Sequence, residues 1–241
     1  MNPDQFLSDT QREASLRALP GMQPVGKIDW LTIDAAYAAQ LAEKSKLIKD
    51  QGADVLTCLP EAESAAQETL EDVLTLLRAR PDFEVGDGWA TRPDGVTVPL
   101  RTKDPLYTLS TLIQEDICIL QKEGDAHRLT AALLCFPASW TLSEKIARGL
   151  TAIHTPVTEY SEDIAQRVQR LFDGVRVGHP IWRANLMTYR DPALFQPRFE
   201  ADPRDQEPND GAYERSERQT LWRLPKTDAV VFSIHTTLVS L

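Results

Sequence analysis

Histidines are the residues in this sequence best suited to chemistry, and His154 has the most suggestive surroundings of the four. It lies in GLTAIHTPV, residues 149–157, between an apolar pair and a Thr-Pro turn, where the chain is expected to leave a packed element. An imidazole at the end of an element can donate a lone pair to a metal that faces an apolar pocket. A histidine that only hydrogen-bonds the following turn fits the same pattern, so both interpretations stay open.

The other three histidines have less distinctive surroundings. His127 follows a predicted hairpin turn and is expected to be exposed, whereas His179 in VGHPIW precedes a proline and has the same two interpretations as His154. His235 alternates with apolar residues in VFSIHTTL. Its side chain should therefore point away from the face that Ile234 occupies, and should line a pocket or meet solvent.

Arginines placed on strands indicate a second kind of chemistry. Four of them lie on or beside predicted strands: Arg183, Arg215, Arg218 and Arg223. A guanidinium can form two hydrogen bonds to one carboxylate in a partly buried site, whether that carboxylate belongs to a bound acid or to a neighbour such as Glu217. Lys145 and Arg148, which precede His154, could serve in the same way. An internal salt bridge explains each of these residues equally well.

Composition excludes several functional classes. The 241 residues carry a formal net charge of −10, which disfavours nucleic acid and anionic membranes as partners. No apolar run is long enough for a membrane span, and MNPDQFLSDTQREAS has no signal-peptide pattern, so a cytoplasmic protein is expected. The three cysteines have no paired spacing. Cys118 and Cys135, in apolar runs, are expected to be small buried residues.

Common catalytic motifs are absent. GxGxxG, GxxxxGK[ST], HExxH and GxSxG do not occur, which argues against dinucleotide, phosphate-loop, zincin and serine-hydrolase sites. The 36 acidic residues include no pair whose spacing marks an acid–base couple. Candidate sites therefore depend on the histidines and arginines.

Helices are predicted to dominate the N-terminal third, after an arm of about 30 residues. Asp34 is a predicted N-cap for AAYAAQLAEKSKLIKDQG, which Gly52 closes, and Pro60 opens EAESAAQETLEDVLTLLRAR. The apolar stripe of the second helix is predicted to be core: Leu70, Val73, Leu74 and Leu77. Shorter helices are predicted at PLYTLSTLIQ, at residues 143–146 and at IAQRVQRLFDG, capped by Ser161.

Strands are predicted mainly in the second half. Five runs have strand character: residues 117–121, 129–136, 182–189, 218–224 and 229–239. The first two are joined by a Gly-Asp turn and form a hairpin, whereas residues 83–105 form a loop or an irregular hairpin. The polar, proline-rich stretch 191–217 is predicted to be a long surface loop or lid. Because the last strands follow each other without crossover helices, an α+β fold with one antiparallel sheet is expected.

Several blocks of residues resemble, in order and spacing, the family of the haem-dependent oxidative N-demethylase alpha subunit. These blocks are QEDICIL, FPASWTLSEKIARGLTAIHTPV, RANL and ERQTLWRLPKTDAVVFSIHT, and the resemblance covers roughly residues 25–240. The most specific are a W-x4-K-x7-IH-x-PV block, which contains Lys145 and His154, and an ERQTL-x-RLP block that begins at Glu217.

The resemblance implies a single PAS-like domain over residues 1–241, with an antiparallel sheet, flanking helices and a helical N-terminal extension in residues 1–80. It implies haem b as the cofactor, and a monooxygenase activity that demethylates a small secondary amine such as dimethylamine with O2. The electrons would come from a separate reductase that carries NADPH, FMN and iron–sulfur. A PAS-type sensor or ligand-binding module without turnover, and a haem-free structural subunit, are the alternatives.

The same resemblance assigns roles to residues. His154 becomes the candidate axial ligand of the iron. Arg218 and Arg223 become the leading cations for the haem propionates or the active site, and Lys145 and Arg183 join them as cofactor-binding candidates. The remaining candidates are catalytic: Glu217 or Asp116 would balance a protonated amine, because a cation leaving water requires a carboxylate, and His235 stands where the family is expected to have arginine.

Overall fold

The computed structural model describes residues 5–154, 162–202 and 211–241. Its helices are α1 Asp9–Ser15, α2 Tyr37–Gln51, α3 Glu63–Arg78, α4 Pro105–Ser110, α5 Leu142–Lys145, α6 Leu150–His154 and α7 Glu162–Gly174. Its strands are β1 Gln23–Pro24, β2 Leu56–Cys58, β3 Glu84–Val85, β4 Trp89–Thr91, β5 Thr97–Pro99, β6 Asp116–Glu123, β7 Ala126–Leu133, β8 Ile181–Ala184, β9 Met187–Tyr189, β10 Tyr213–Arg223 and β11 Val230–Ser240. None of the helices in the described ranges is both long and apolar enough to cross a bilayer.

The N-terminal helices form where local sequence signals place them. Gly52 closes α2 with a φ of 55°, as predicted. Asp34 Oδ1 accepts a hydrogen bond from the backbone N–H of Ala36 at 2.9 Å, but the N-cap of α2 is Ala36 rather than the predicted Asp34. A 3-10 turn that begins at Pro60 leads into α3. The apolar stripe of α3 lies in the core, as predicted, with Leu70 and Leu77 fully buried.

One antiparallel sheet organises the described chain. Its strand order is β1-β8-β10-β11-β6-β7-β2, and β9 pairs with β10 beside β8. The predicted hairpin is confirmed, since β6 pairs antiparallel with β7 and Gly124 in the turn has a φ of 60°. A smaller sheet, β3-β4-β5, forms in the segment predicted to be an irregular hairpin. The α+β class is confirmed.

Two apolar cores lie on opposite faces of the sheet. In β6, Ile117 and Ile119 join the core that contains α2, α3 and α4, whereas Cys118 and Leu120 join the core that contains α5, α6 and α7. The alternation follows from the two-residue period of a strand. Cys118 is buried, as predicted. The second core encloses the cavity described below.

Two further expectations, on a loop and on a histidine, were wrong. The loop predicted over residues 191–217 ends earlier, because β10 begins at Tyr213. The charged residues of YERSE concealed this strand, since Arg215 and Glu217 are buried in it. His127 is buried rather than exposed, because its ring lies 5.5 Å from that of Phe172, and its Nδ1 lies 2.9 Å from Gln169 Nε2.

Candidate active site

A cavity of about 570 Å³ lies between the sheet and the α5–α7 segment. Its walls are largely apolar, and the apolar side chains that line it include Leu120, Leu129, Leu150, Phe172, Leu221 and Phe232. The N-terminal arm also contributes to the lining of the cavity, through Leu19 and Pro20. A largely apolar concave wall of this kind suits a small molecule or cofactor rather than a macromolecule.

Glu217 forms the anionic part of this cavity. Its side chain is 7% exposed, and its Oε2 accepts hydrogen bonds from Asn185 Nδ2 and Gln219 Nε2, each at 3.0 Å. The nearest cation is Arg215, whose Nη2 lies 3.9 Å from Oε1. The carboxylate is therefore held by two amides, and it faces a cavity in which a cationic ligand would complete its partners.

An interruption between two strands supplies Asn185. β8 ends at Ala184 and β9 begins at Met187, and both pair with β10. In the gap, Asn185 Oδ1 accepts from the backbone N–H of Glu217 at 2.7 Å, so a side chain replaces the missing ladder bond. Its main-chain carbonyl accepts from Ser216 Oγ at 2.6 Å. The side-chain oxygen and the main-chain carbonyl of Asn185 thus both accept hydrogen bonds from β10. These bonds position the side-chain amide group that donates to Glu217.

Arg183 is a second cation near the carboxylate of Glu217. It lines the cavity and lies opposite Gln219 in the register of β8 and β10. Within the described ranges, its guanidinium has no hydrogen bond or ion pair. Burial lowers the pKa of Arg183, and the carboxylate of Glu217 opposes that shift. A half-buried guanidinium without a protein partner is suited to an anionic group of a bound molecule.

Lys145 lies at the opposite edge of the cavity, and its ammonium already has protein partners. Its Nζ donates to the carbonyl oxygen of Ile153 at 2.7 Å and to Glu200 Oε1 at 2.6 Å. Arg148 contacts the same oxygen of Glu200 at 3.0 Å. The hydrogen bond from Lys145 holds the pKa of Glu200 below its usual value.

His154 is the last residue of α6, next to Ile153, which lines the cavity. The imidazole of His154 and residues 155–161 lie outside the described residues, as does the predicted cap Ser161. The predicted ligand is therefore located by its backbone, at a helix end beside the cavity.

The other predicted site residues do not line the cavity. Arg218 is on the opposite face of β10, where it donates to the carbonyl oxygens of Trp30 and Asp29, each at 2.8 Å. Arg223 donates to the carbonyl oxygens of Val175 and Phe172 at 2.7 and 2.6 Å. The guanidinium groups of Arg218 and Arg223 therefore tie segments of the fold together.

The carboxylate of Asp116 is also paired with groups of the protein. It lies 2.9 Å from Lys44 Nζ, and its other oxygen accepts the backbone N–H of Phe136 at 2.6 Å. Both Lys44 and Asp116 are fully buried. This ion pair joins α2 to the start of β6.

His235 belongs to a buried charge cluster on the face away from Ile234 and the cavity, as its alternation with Ile234 predicted. The expectation that it lines a pocket or meets solvent was wrong, because it is buried and does not line the cavity. Its Nε2 lies 3.0 Å from Asp34 Oδ2 and its Nδ1 lies 3.4 Å from Glu115 Oε1. Burial alone would lower the pKa of His235, but the hydrogen bonds to the two carboxylates raise it to about 9. Burial likewise opposes the shift of Asp34, yet His235, Gln114 and Gln5 bring its pKa down to about 2. The cluster is thus a charged structural network.

A larger depression of about 740 Å³ lies elsewhere, between α3 and the start of α4. It is the more open of the two, and the charged side chains that line it include Glu71, Lys103 and Lys226. None of the predicted site residues contributes to it. Its volume alone does not make it the better candidate, because a binding site encloses its ligand.

Asn185, Gln219 and Glu200 were not singled out from the sequence. Asn185 and Gln219 belong to the RANL and ERQTL blocks, so the resemblance contained them without indicating a role. Glu200 lies in the proline-rich stretch, where charge is typical of exposed loops. Only the fold brings it to Lys145.

A comparison with protein families gives one match. The family model described as "Haem-dependent oxidative N-demethylase, alpha subunit-like" matches residues 21–241, which is nearly the whole chain. The matched range contains every residue of the cavity wall named above except Leu19 and Pro20. In the described part of the chain, no three His, Cys, Asp or Glu side chains converge on a position for a metal ion.

Proposed function

Since the chain belongs to the haem-dependent oxidative N-demethylase alpha subunit-like family, we propose that it binds haem b in the 570 Å³ cavity and demethylates a small secondary amine such as dimethylamine. It would use O2 and electrons from a separate reductase that carries NADPH, FMN and iron–sulfur. The observation that carries the proposal is a largely apolar cavity beside His154. Among the described residues of its wall, Arg183 is a cation without a hydrogen bond or ion pair, and Glu217 is a buried carboxylate.

The cavity residues fit a haem. The volume lies within the range of roughly 300–1,000 Å³ that cofactor pockets have, and the apolar wall suits a macrocycle. Arg183 offers a guanidinium for a propionate, and His154 offers a nitrogen ligand for the iron. Arg218 and Arg223 were the leading propionate candidates, but their donors are taken by backbone carbonyls. We therefore assign the propionate role to Arg183.

The fold class agrees with a single PAS-like domain. The hairpin β6–β7 comes first, helices α5, α6 and α7 then cover one face, and β8, β10 and β11 complete the same sheet. Residues 1–80 add an arm and two helices that pack on the other core. We propose that this unit is the PAS-like haem domain.

Bound haem would supply the activation of O2 at iron. The chain's own part is to bind and orient the amine and to keep water out. Glu217, held by Asn185 and Gln219, would pair with the protonated amine and direct its methyl group into the apolar part of the cavity. The products would be formaldehyde and the demethylated amine, with the second oxygen atom released as water.

Haem binding through His154 is tested by the absorption spectrum. The chain is produced in cells supplied with iron and a haem precursor, and is expected to show a Soret band. His154→Ala should shift or abolish that band, whereas His179→Ala, which changes an exposed histidine, should leave it unchanged. A reconstituted chain without a Soret band would reject the proposal.

Two arginines on opposite faces of the sheet test the propionate assignment. Arg183→Met should weaken haem binding by about tenfold or more, because a charged hydrogen bond is worth about 1.5–3 kcal/mol. Arg218→Met should instead lower the stability of the fold, with the haem spectrum unchanged, because its partners are Trp30 and Asp29. If Arg218→Met weakened haem binding and Arg183→Met did not, the propionate would be assigned to Arg218 instead.

Turnover distinguishes an enzyme from a sensor module. With a reductase or a chemical reductant, dimethylamine should give formaldehyde, and Glu217→Gln should raise KM by about tenfold with a smaller effect on kcat. Glu214→Gln is the matched control, since Glu214 lies on the same strand and pairs with Arg12 at 2.6 Å. Haem binding without formaldehyde would support the sensor alternative.

A further inference from the structure

Helix α6 needs an external anchor at its C-terminal end. It spans only Leu150–His154, and five residues are far fewer than an isolated helix needs to be stable in water. Carbonyl groups near the C-terminus of a helix depend on donors from outside the helix. The backbone N–H of Ile153 donates to the carbonyl oxygen of Gly149 at 3.0 Å, which closes the first turn of α6. The carbonyl oxygen of Ile153 takes its donor from outside the helix.

Lys145 provides that donor from the neighbouring helix. Its side chain is 6% exposed, and its Nζ lies 2.7 Å from the Ile153 carbonyl oxygen. A second N–H of the ammonium bonds to Glu200 Oε1 at 2.6 Å. A lysine near a helix C-terminus stabilises its last carbonyls and the negative end of its dipole. Lys145 therefore satisfies the end of α6 from the side of the cavity.

Glu200 extends this contact to the rim of the cavity. Its backbone N–H donates to Glu144 Oε2 at 2.8 Å, and Thr141 Oγ1 donates to the same oxygen at 2.8 Å. The segment that contains Glu200 also lines the cavity. Two side chains of the α5 region, Glu144 and Lys145, thus hold the backbone and the carboxylate of Glu200.

We propose that Lys145 is a positioning residue, which fixes the end of α6 and hence the backbone that leads into His154, and that it does not bind a propionate. The hydrogen bond from Lys145 to the Ile153 carbonyl oxygen is observed in the structure and does not depend on the proposed function. The consequence for the iron rests on the proposed function, in which His154 is the ligand.

Arg148 offers a matched control. Both Lys145 and Arg148 pair with Glu200 Oε1, but Arg148 is 44% exposed and its own hydrogen bond is to that carboxylate rather than to Ile153. Lys145→Met should accelerate amide hydrogen exchange in α6 by about ten- to hundredfold, the ratio that loss of a charged hydrogen bond gives. Arg148→Met and Glu200→Gln should change it by less than about fivefold, as for an exposed ion pair.

The experiment uses the full chain as purified, and measures exchange and the Soret band on the same sample. The proposal is supported if Lys145→Met alone opens α6 and also shifts the Soret band or the reduction potential. It is overturned if Lys145→Met leaves exchange unchanged, or if all three variants accelerate it equally. Faster exchange with an unchanged haem spectrum would retain the anchor but reject His154 as the ligand. If Lys145→Met does not fold, the other two variants decide. Amide exchange in α6 that is more than tenfold faster in both Glu200→Gln and Arg148→Met would overturn the proposal. Exchange that stays below this limit in both variants would support it.

Discussion

Raising the pH from about 6 to about 10 is expected to lower the free energy of unfolding by deprotonating His235. This imidazole is 2% exposed and lies between the carboxylates of Asp34 and Glu115. Arg218 is its cross-strand neighbour in β10, so one further cation faces the cluster. Deprotonation would leave the buried carboxylate of Glu115 and the partly buried carboxylate of Asp34 with less positive charge beside them.

The magnitude follows from the shift in pKa. The folded pKa of His235 is about 9, against an ordinary value of 6.5, and each unit is worth about 1.36 kcal/mol. The protonated histidine therefore stabilises the fold by on the order of 3 kcal/mol. Because the folded pKa is raised, this contribution is fully present below about pH 6.5 and is lost as the pH rises through about 9. The lowered pKa of Asp34 reflects the same ion pair, so the two are not added.

Urea unfolding at several pH values measures this effect. The free energy of unfolding is compared for the chain and for His235→Gln, which keeps an amide hydrogen-bond donor but does not titrate. The difference between the two should shrink by about 3 kcal/mol between about pH 6 and about pH 10. Parallel pH profiles for the two proteins would refute the assigned charge of His235.

Three further outcomes are expected. Lys44→Met should destabilise the fold by about 3–5 kcal/mol in urea unfolding, because it leaves Asp116 buried without its cation, whereas Lys46→Met, on the exposed side of the same helix, should have little effect. Phe232→Trp should reduce haem uptake by about tenfold in a spectral titration, since the larger ring fills the cavity, and an unchanged affinity would place the haem elsewhere. Arg223→Met should lower the unfolding free energy by about 2 kcal/mol, through lost bonds to backbone carbonyls, and a Soret shift without that loss would contradict its structural role.

Local signals predicted the helices and the hairpin because each depends on neighbouring residues. Gly52 ends α2, and the Gly-Asp turn joins β6 to β7, as their positions indicated, whereas the N-cap of α2 is Ala36 rather than the predicted Asp34. The start of β10 could not be predicted in this way. Its first residues are charged, and a charged run is read as a solvated loop unless its partners are known. Here the partner of Arg215 is the carbonyl oxygen of Phe136, 79 positions away.

The division of roles in β10 depends on register, which composition does not encode. Gln219 lies opposite Arg183, and Arg218 lies opposite Ala184, so neighbouring residues of one motif serve different faces. On the cavity face, Glu217 accepts hydrogen bonds from Gln219 and Asn185; on the other face, Arg218 donates to the backbone of the N-terminal segment. A shift of one residue would exchange the two sets. The motif therefore identifies the strand that carries the site, whereas only its pairing with β8 and β11 decides which of its charges can reach a bound molecule.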